Sequence, residues 1–136
     1  MQMKKLFSTT MTSTGGRDGQ VHDSDNHLVF KIAPPEKGDP EATNPEQLFA
    51  AGYSACFNGA LGLALRLERV RAESKVSITV TLHEGEAYDY FISADIEGHI
   101  EGLSKEETER FLQKAHQICP YSKATMGNIE VTIKAV

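Results

Sequence analysis

A mixed α+β fold is what this sequence predicts, on three observations. Residues 75–84, 90–101 and 128–136 alternate apolar and polar side chains at period two. Residues 44–69 and 104–119 each open on a helix-start signal and continue at helical spacing. Strands and helices follow one another with no internal repeat. The predicted order is β-β-β-α-β-β-α-β within one domain spanning residues 1–136, a length suited to a single hydrophobic core.

The elements can be justified in order. Residues 4–11 are β-prone and lead into Gly15-Gly16-Arg17-Asp18-Gly19, a glycine-rich turn that would join two strands as a hairpin. A third short strand, 27–32, stops at Ala33-Pro34-Pro35, and a loop through Lys37-Gly38-Asp39-Pro40 follows. Asn44-Pro45-Glu46-Gln47 then supplies an N-cap residue, a proline at the first helical position, an acid in the first turn and Gln at N3, so a long helix runs to about residue 69. Ala50, Ala51, Gly52, Ser54, Ala55, Cys56, Gly59, Ala60, Gly62 and Ala64 spread small residues around most of its circumference, as in a core helix that other backbones approach closely. Val76, Ile78, Val80 and Leu82 share one face of the next strand, and Ala94, Ile96, Gly98 and Ile100 one face of the strand after it, with a hairpin turn at 85–89. Ser104-Lys105-Glu106-Glu107 is a capping box, and Phe111, Leu112, Ala115 and Ile118 keep helical spacing until Pro120 forbids continuation, so the second helix ends with Cys119. Ile129, Val131 and Ile133 alternate in a final strand.

Composition excludes several classes of function. A formal net charge of -5 and the absence of a long Lys/Arg run remove the electrostatic footprint of a nucleic-acid binder. Leu6-Phe7-Ser8-Thr9-Thr10 is too short and polar for a signal-peptide core, and residues 48–65, with Asn58 and many Gly, Ala and Ser, fall short of a membrane span. A cytoplasmic protein with no membrane partner is expected. Its two cysteines would then be no structural scaffold, and a disulfide between them would be catalytic or regulatory.

On residue context alone, Cys56 has more of a small core hydrophobe than of a nucleophile about it. It lies about three turns into its helix, beyond reach of the N-terminal dipole, so a reactive Cys56 needs a cation. Arg17 is one candidate, although residue context alone favours a solvated turn residue. Glu46 complements the helix dipole and stands about 15 Å and 80° from Cys56 along a straight helix. Cys119, at a helix C-terminus, is placed either as a resolving thiol or as a buried helix-end cysteine. His116 and Cys119 have H-x-x-C spacing, but His22, His27, His83 and His99 are scattered, so no metal site is expected. Phe49, Phe57 and Ile118 serve equally as core or as the wall of an apolar pocket.

Taken together, three segments resemble the organic hydroperoxide resistance (Ohr) branch of the OsmC/Ohr family. They are Gly15-Gly16-Arg17-Asp18-Gly19, the run Thr43-Asn44-Pro45-Glu46-Gln47-Leu48-Phe49-Ala50-Ala51-Gly52-Tyr53-Ser54-Ala55-Cys56-Phe57, and Ala115-His116-Gln117-Ile118-Cys119-Pro120-Tyr121-Ser122-Lys123-Ala124-Thr125. The long central run distinguishes this branch from its sister, the osmotically inducible peroxidases. The resemblance implies strands wrapped around central helices in an intertwined homodimer. It implies a thiol peroxidase for organic hydroperoxides, with Cys56 as peroxidatic thiol and Cys119 as resolving thiol. Arg17 would activate the thiolate, and Glu46 would orient Arg17. No bound cofactor is implied, and the reductant would be dihydrolipoamide or a lipoylated protein. Met126 departs from the family's usual arginine after Thr125. The alternatives are a sister-branch peroxidase with broader substrates, or a non-enzymatic redox-sensing or small-molecule binding domain.

Overall fold

The computed structural model describes residues 2–136, which divide into two compact units, Met1–Pro45 and Glu46–Val136. In the first unit β1 (Thr12–Thr14), β2 (Gly19–His22), β3 (Val29–Ile32) and β4 (Ala42–Thr43) form a sheet in that order. The β1–β2 hairpin forms where the glycines require it: Gly15 and Gly16 take φ of 84° and 61°, and the Asp18 N–H closes on the Gly15 carbonyl at 3.2 Å. Arg17 sits exposed in this turn. A single 3₁₀ turn, Pro35–Lys37, precedes β4, which pairs in parallel with β3.

The expectation of a strand over 4–11 is not met. Residues 2–11 carry no regular structure, and pairing begins only at Thr12, opposite His22. Propensity alone does not make a strand, because the backbone groups need a neighbouring ladder.

The second unit holds α1 (Pro45–Leu67), the hairpin β5 (Ser74–Glu84) and β6 (Tyr90–Ile100), α2 (Lys105–Ile118), α3 (Pro120–Thr125) and β7 (Val131–Ala135). β6 is the central strand, antiparallel to β5 and parallel to β7. Ala94, Ile96, Gly98 and Ile100 are buried while Asp95, Glu97 and His99 are exposed, so the alternation read from the sequence is the division between core and solvent. Tyr53, Phe57, Leu61 and Leu65 repeat every fourth residue on α1 and bury one stripe, which joins Phe111, Leu112 and Ala115 of α2 and the inner face of β6 in a single core. Burying these side chains stabilises the fold by roughly 1.5–3 kcal/mol each.

Two further expectations are corrected. Pro120 does end α2, but it also opens α3, because proline lacks the N–H that a first helical turn leaves unpaired anyway. By length and composition only, α1 is apolar enough to cross a membrane; abundant Ala with Leu, Phe and Cys outweighs its polar residues. It serves instead as the core helix of this unit.

Gly98 is where α2 meets β6, and a Cβ there would collide with the buried side chain of Leu112. Gly98→Ala should therefore lower stability by about 1–2 kcal/mol in urea unfolding, although alanine is otherwise the better strand residue.

Glu68, just beyond α1, receives Arg110 at 3.0 Å and Lys114 at 2.7 Å from α2. Hydrogen bonds from Arg110 and then Lys114 hold its carboxyl down at about 2, against an ordinary 4.5. The stabilisation from this depressed carboxyl is complete above its ordinary value and disappears as the pH falls through about 2. The difference in urea midpoint between the native sequence and Glu68→Gln should thus narrow steadily from pH 5 to pH 2.

Candidate active site

The two cysteines, 63 residues apart in sequence, meet in the second unit with Cys119 Sγ 3.4 Å from Cys56 Sγ. Both are free thiols. A disulfide bond is about 2.05 Å long, so the pair needs to close by roughly 1.3 Å to bond. Cys56 is half-buried on the flank of α1, one residue before fully buried Phe57. Cys119 is 0% exposed and serves at once as the C-cap of α2 and the N-cap of α3. Its extended backbone, φ -63° and ψ 122°, is the bend that a following proline imposes.

Three influences act on the Cys56 thiol. Burial is the largest and pushes it up; the Tyr121 N–H pulls it down; the Cys119 thiol beside it pushes it up again. The net direction is upward. Tyr121 follows Pro120, so its N–H is the first free amide of α3, and α3 presents it to the sulfur. One neutral donor does not offset desolvation, and an activated Cys56 needs a full positive charge from elsewhere.

Arg17 lies in the β1–β2 turn, and Glu46 in the first turn of α1, ten residues and about 15 Å of helix rise before Cys56. Phe57 is fully buried and packs as core. Phe49 packs edge-on against Tyr53, with ring centroids 6.0 Å apart. Ile118 lines a groove of about 270 Å³ together with Ala64, Leu67, Glu68, Lys114 and Gln117. Phe49 and Phe57 are not among the walls of that groove. His116, one turn before Cys119, has its imidazole pushed down by burial.

Sequence reasoning missed the groups that join α1 to α3. Tyr121 lies over Gly52, where a Cβ would stand 3.1 Å from the Tyr121 hydroxyl, and its ring centroid is 5.9 Å from that of Tyr53. The Tyr53, Ser122 and Thr125 side chains are buried, and their hydroxyls are mutually hydrogen-bonded. The available signal was two hydroxyl residues, Ser122 and Thr125, at i, i+3 in a segment starting with proline. A pairing with Tyr53 is not readable without the tertiary fold.

An α+β fold carrying a close pair of reduced cysteines at a helix-to-helix joint is the class that these observations define. A family profile described as OsmC-like protein matches residues 38–134. The chain is 48% identical over 134 residues to organic hydroperoxide resistance protein-like 1 of Staphylococcus epidermidis, covering 96% of each chain. It is 47% identical over 138 residues to the organic hydroperoxide resistance protein OhrA of Bacillus subtilis, covering 95% of each. The crystal structure of the organic hydroperoxide resistance protein OhrB of Bacillus subtilis superimposes with a TM-score of 0.89 at 35% identity, over 97% of this chain and 100% of that one. The chain belongs to the OsmC-like family and, within it, to the organic hydroperoxide resistance branch.

The contrast in burial should show directly in thiol chemistry. In the folded, reduced protein iodoacetamide should modify Cys56 and spare Cys119, and in urea it should modify both, as counted by mass spectrometry.

Proposed function

We propose that this protein is a thiol peroxidase that reduces organic hydroperoxides to alcohols, and so contributes to resistance against organic peroxides. The observation that carries this reading is the 3.4 Å approach of Cys56 and Cys119 in a chain of the organic hydroperoxide resistance branch. The Cys56 thiolate attacks one peroxide oxygen, the O–O bond breaks, and the departing alkoxide takes a proton to leave as alcohol, with sulfenic acid on Cys56. The Cys119 sulfur then attacks the Cys56 sulfur; hydroxide leaves with the Cys119 proton as water, and the disulfide forms. A dithiol, dihydrolipoamide or a lipoylated protein, exchanges with this disulfide, becoming oxidised as both thiols return. The reaction moves two electrons through sulfur and requires no bound cofactor.

Arg17, as the family resemblance implies, supplies the cation that favours the Cys56 thiolate, and Glu46 orients that guanidinium. A guanidinium also stabilises charge developing on the departing oxygen. The protein acts in the cytoplasm as a homodimer. A dimer is supported by the exposed line Ala51, Ala55, Gly59 and Leu63 on α1, where small residues at i, i+4 would let a second helix approach closely.

Single-turnover oxidation of the reduced protein by cumene hydroperoxide tests the reading. The native sequence should lose both thiols with one hydroperoxide consumed. Cys56→Ser should lose neither, and Cys119→Ser should accumulate a sulfenic acid that dimedone traps. Arg17→Ala should slow the first step roughly a hundredfold or more and move the pH profile of Cys56 alkylation upward. Retention of both thiols by the native protein would exclude the peroxidase reading.

A further inference from the structure

The hydroxyl cluster that links α1 to α3 has no part in the chemistry above. Tyr53 Oη lies 2.8 Å from Ser122 Oγ and 3.2 Å from Thr125 Oγ1, and the Thr125 hydroxyl donates to the Ser122 carbonyl at 3.1 Å. One assignment of protons satisfies all three groups: Ser122 donates to Tyr53, Tyr53 to Thr125, and Thr125 to the Ser122 carbonyl. Tyr53 and Ser122 are 0% exposed and Thr125 5%. Phe, Ala and Val would occupy the same volume with no polar group to satisfy, so packing alone does not call for hydroxyls here. A satisfied buried network differs from an apolar contact in permitting one arrangement, because a small slip leaves its members unpaired.

What the cluster joins is informative. Tyr53 stands three residues before Cys56 on α1, which places both on neighbouring parts of one helix surface. Ser122 and Thr125 are the buried residues of α3, a helix of 6 residues that is too short to hold its own geometry. Cys119 caps α3, and the Tyr121 N–H that reaches the Cys56 sulfur belongs to its first turn. We infer that the Tyr53–Ser122–Thr125 cluster is a positioning device for the cysteine pair: it holds α3 at the register on α1 that keeps Cys119 Sγ within 3.4 Å of Cys56 Sγ.

The inference rests on Cys56 and Cys119 being the redox pair of the proposed function, but it can be tested without a hydroperoxide. Full-length protein is equilibrated with mixtures of oxidised and reduced dithiothreitol; the two protein thiols exchange with the dithiothreitol disulfide, giving the protein disulfide and the reduced dithiol. Tyr53→Phe keeps the ring and removes only the hydroxyl. The Tyr53 hydroxyl makes two buried hydrogen bonds, and losing them should lower the equilibrium constant for the protein disulfide by about tenfold and move the iodoacetamide pH profile of Cys56 upward. Thr125→Val should act in the same direction, and Thr125→Ser, which retains a hydroxyl, should restore both readouts. If Tyr53→Phe does not fold, the Thr125 pair reads the same quantities. Unchanged equilibrium constants and alkylation profiles in Tyr53→Phe and Thr125→Val, with only a lower urea midpoint, would overturn the inference and leave the cluster a stabilising contact. Failure of the native protein to react with cumene hydroperoxide would count against the peroxidase reading alone, because neither readout uses that reaction.

Discussion

The buried stripe of α1, Tyr53, Phe57, Leu61 and Leu65, is the constraint on which the rest of the second unit depends. A helix of 23 residues with one face in a core has fixed rotation about its axis, so every other side chain on it acquires a defined direction. Cys56 takes its half-buried place because Phe57, the next residue, is committed to the interior. Tyr53, on the same stripe, turns its hydroxyl toward α3. The same burial that packs the core therefore aims the candidate nucleophile.

Close packing and chemical activation pull in opposite directions at this thiol. Moving a sulfur partly out of water favours its neutral form, and a second thiol at 3.4 Å adds to that effect. A lone amide from Tyr121 is a partial remedy. A thiolate at this position would therefore be favoured by added positive charge. A guanidinium would suit that purpose better than an amine, since it stays charged under desolvation that would neutralise an amine.

Pro120 shows how one residue serves two structural purposes. It terminates α2 at Cys119 and begins α3 immediately, so the resolving thiol of the proposed mechanism lies at the bend between two helices, not within either. Glycine makes complementary allowances for close approach: Gly98 admits Leu112 onto β6, and Gly52 admits the Tyr121 ring onto α1.

The mixed architecture, the starts of α1 and α2, the β5–β6 hairpin and the two candidate cysteines were all legible in sequence, because capping chemistry and side-chain periodicity are local properties. Locality also explains the errors. The β-prone stretch at 4–11 pairs with no strand among the described residues, and a proline read as a stop was equally a start. The pairing of Cys56 with Cys119 was expected from the family resemblance and not from any local pattern, whereas the Tyr121 amide near the sulfur and the Tyr53–Ser122–Thr125 cluster emerged only in the tertiary structure. Each joins residues more than 60 positions apart, whose distance is set by how α1, α2 and α3 share one core, and no pattern within a single segment encodes that distance.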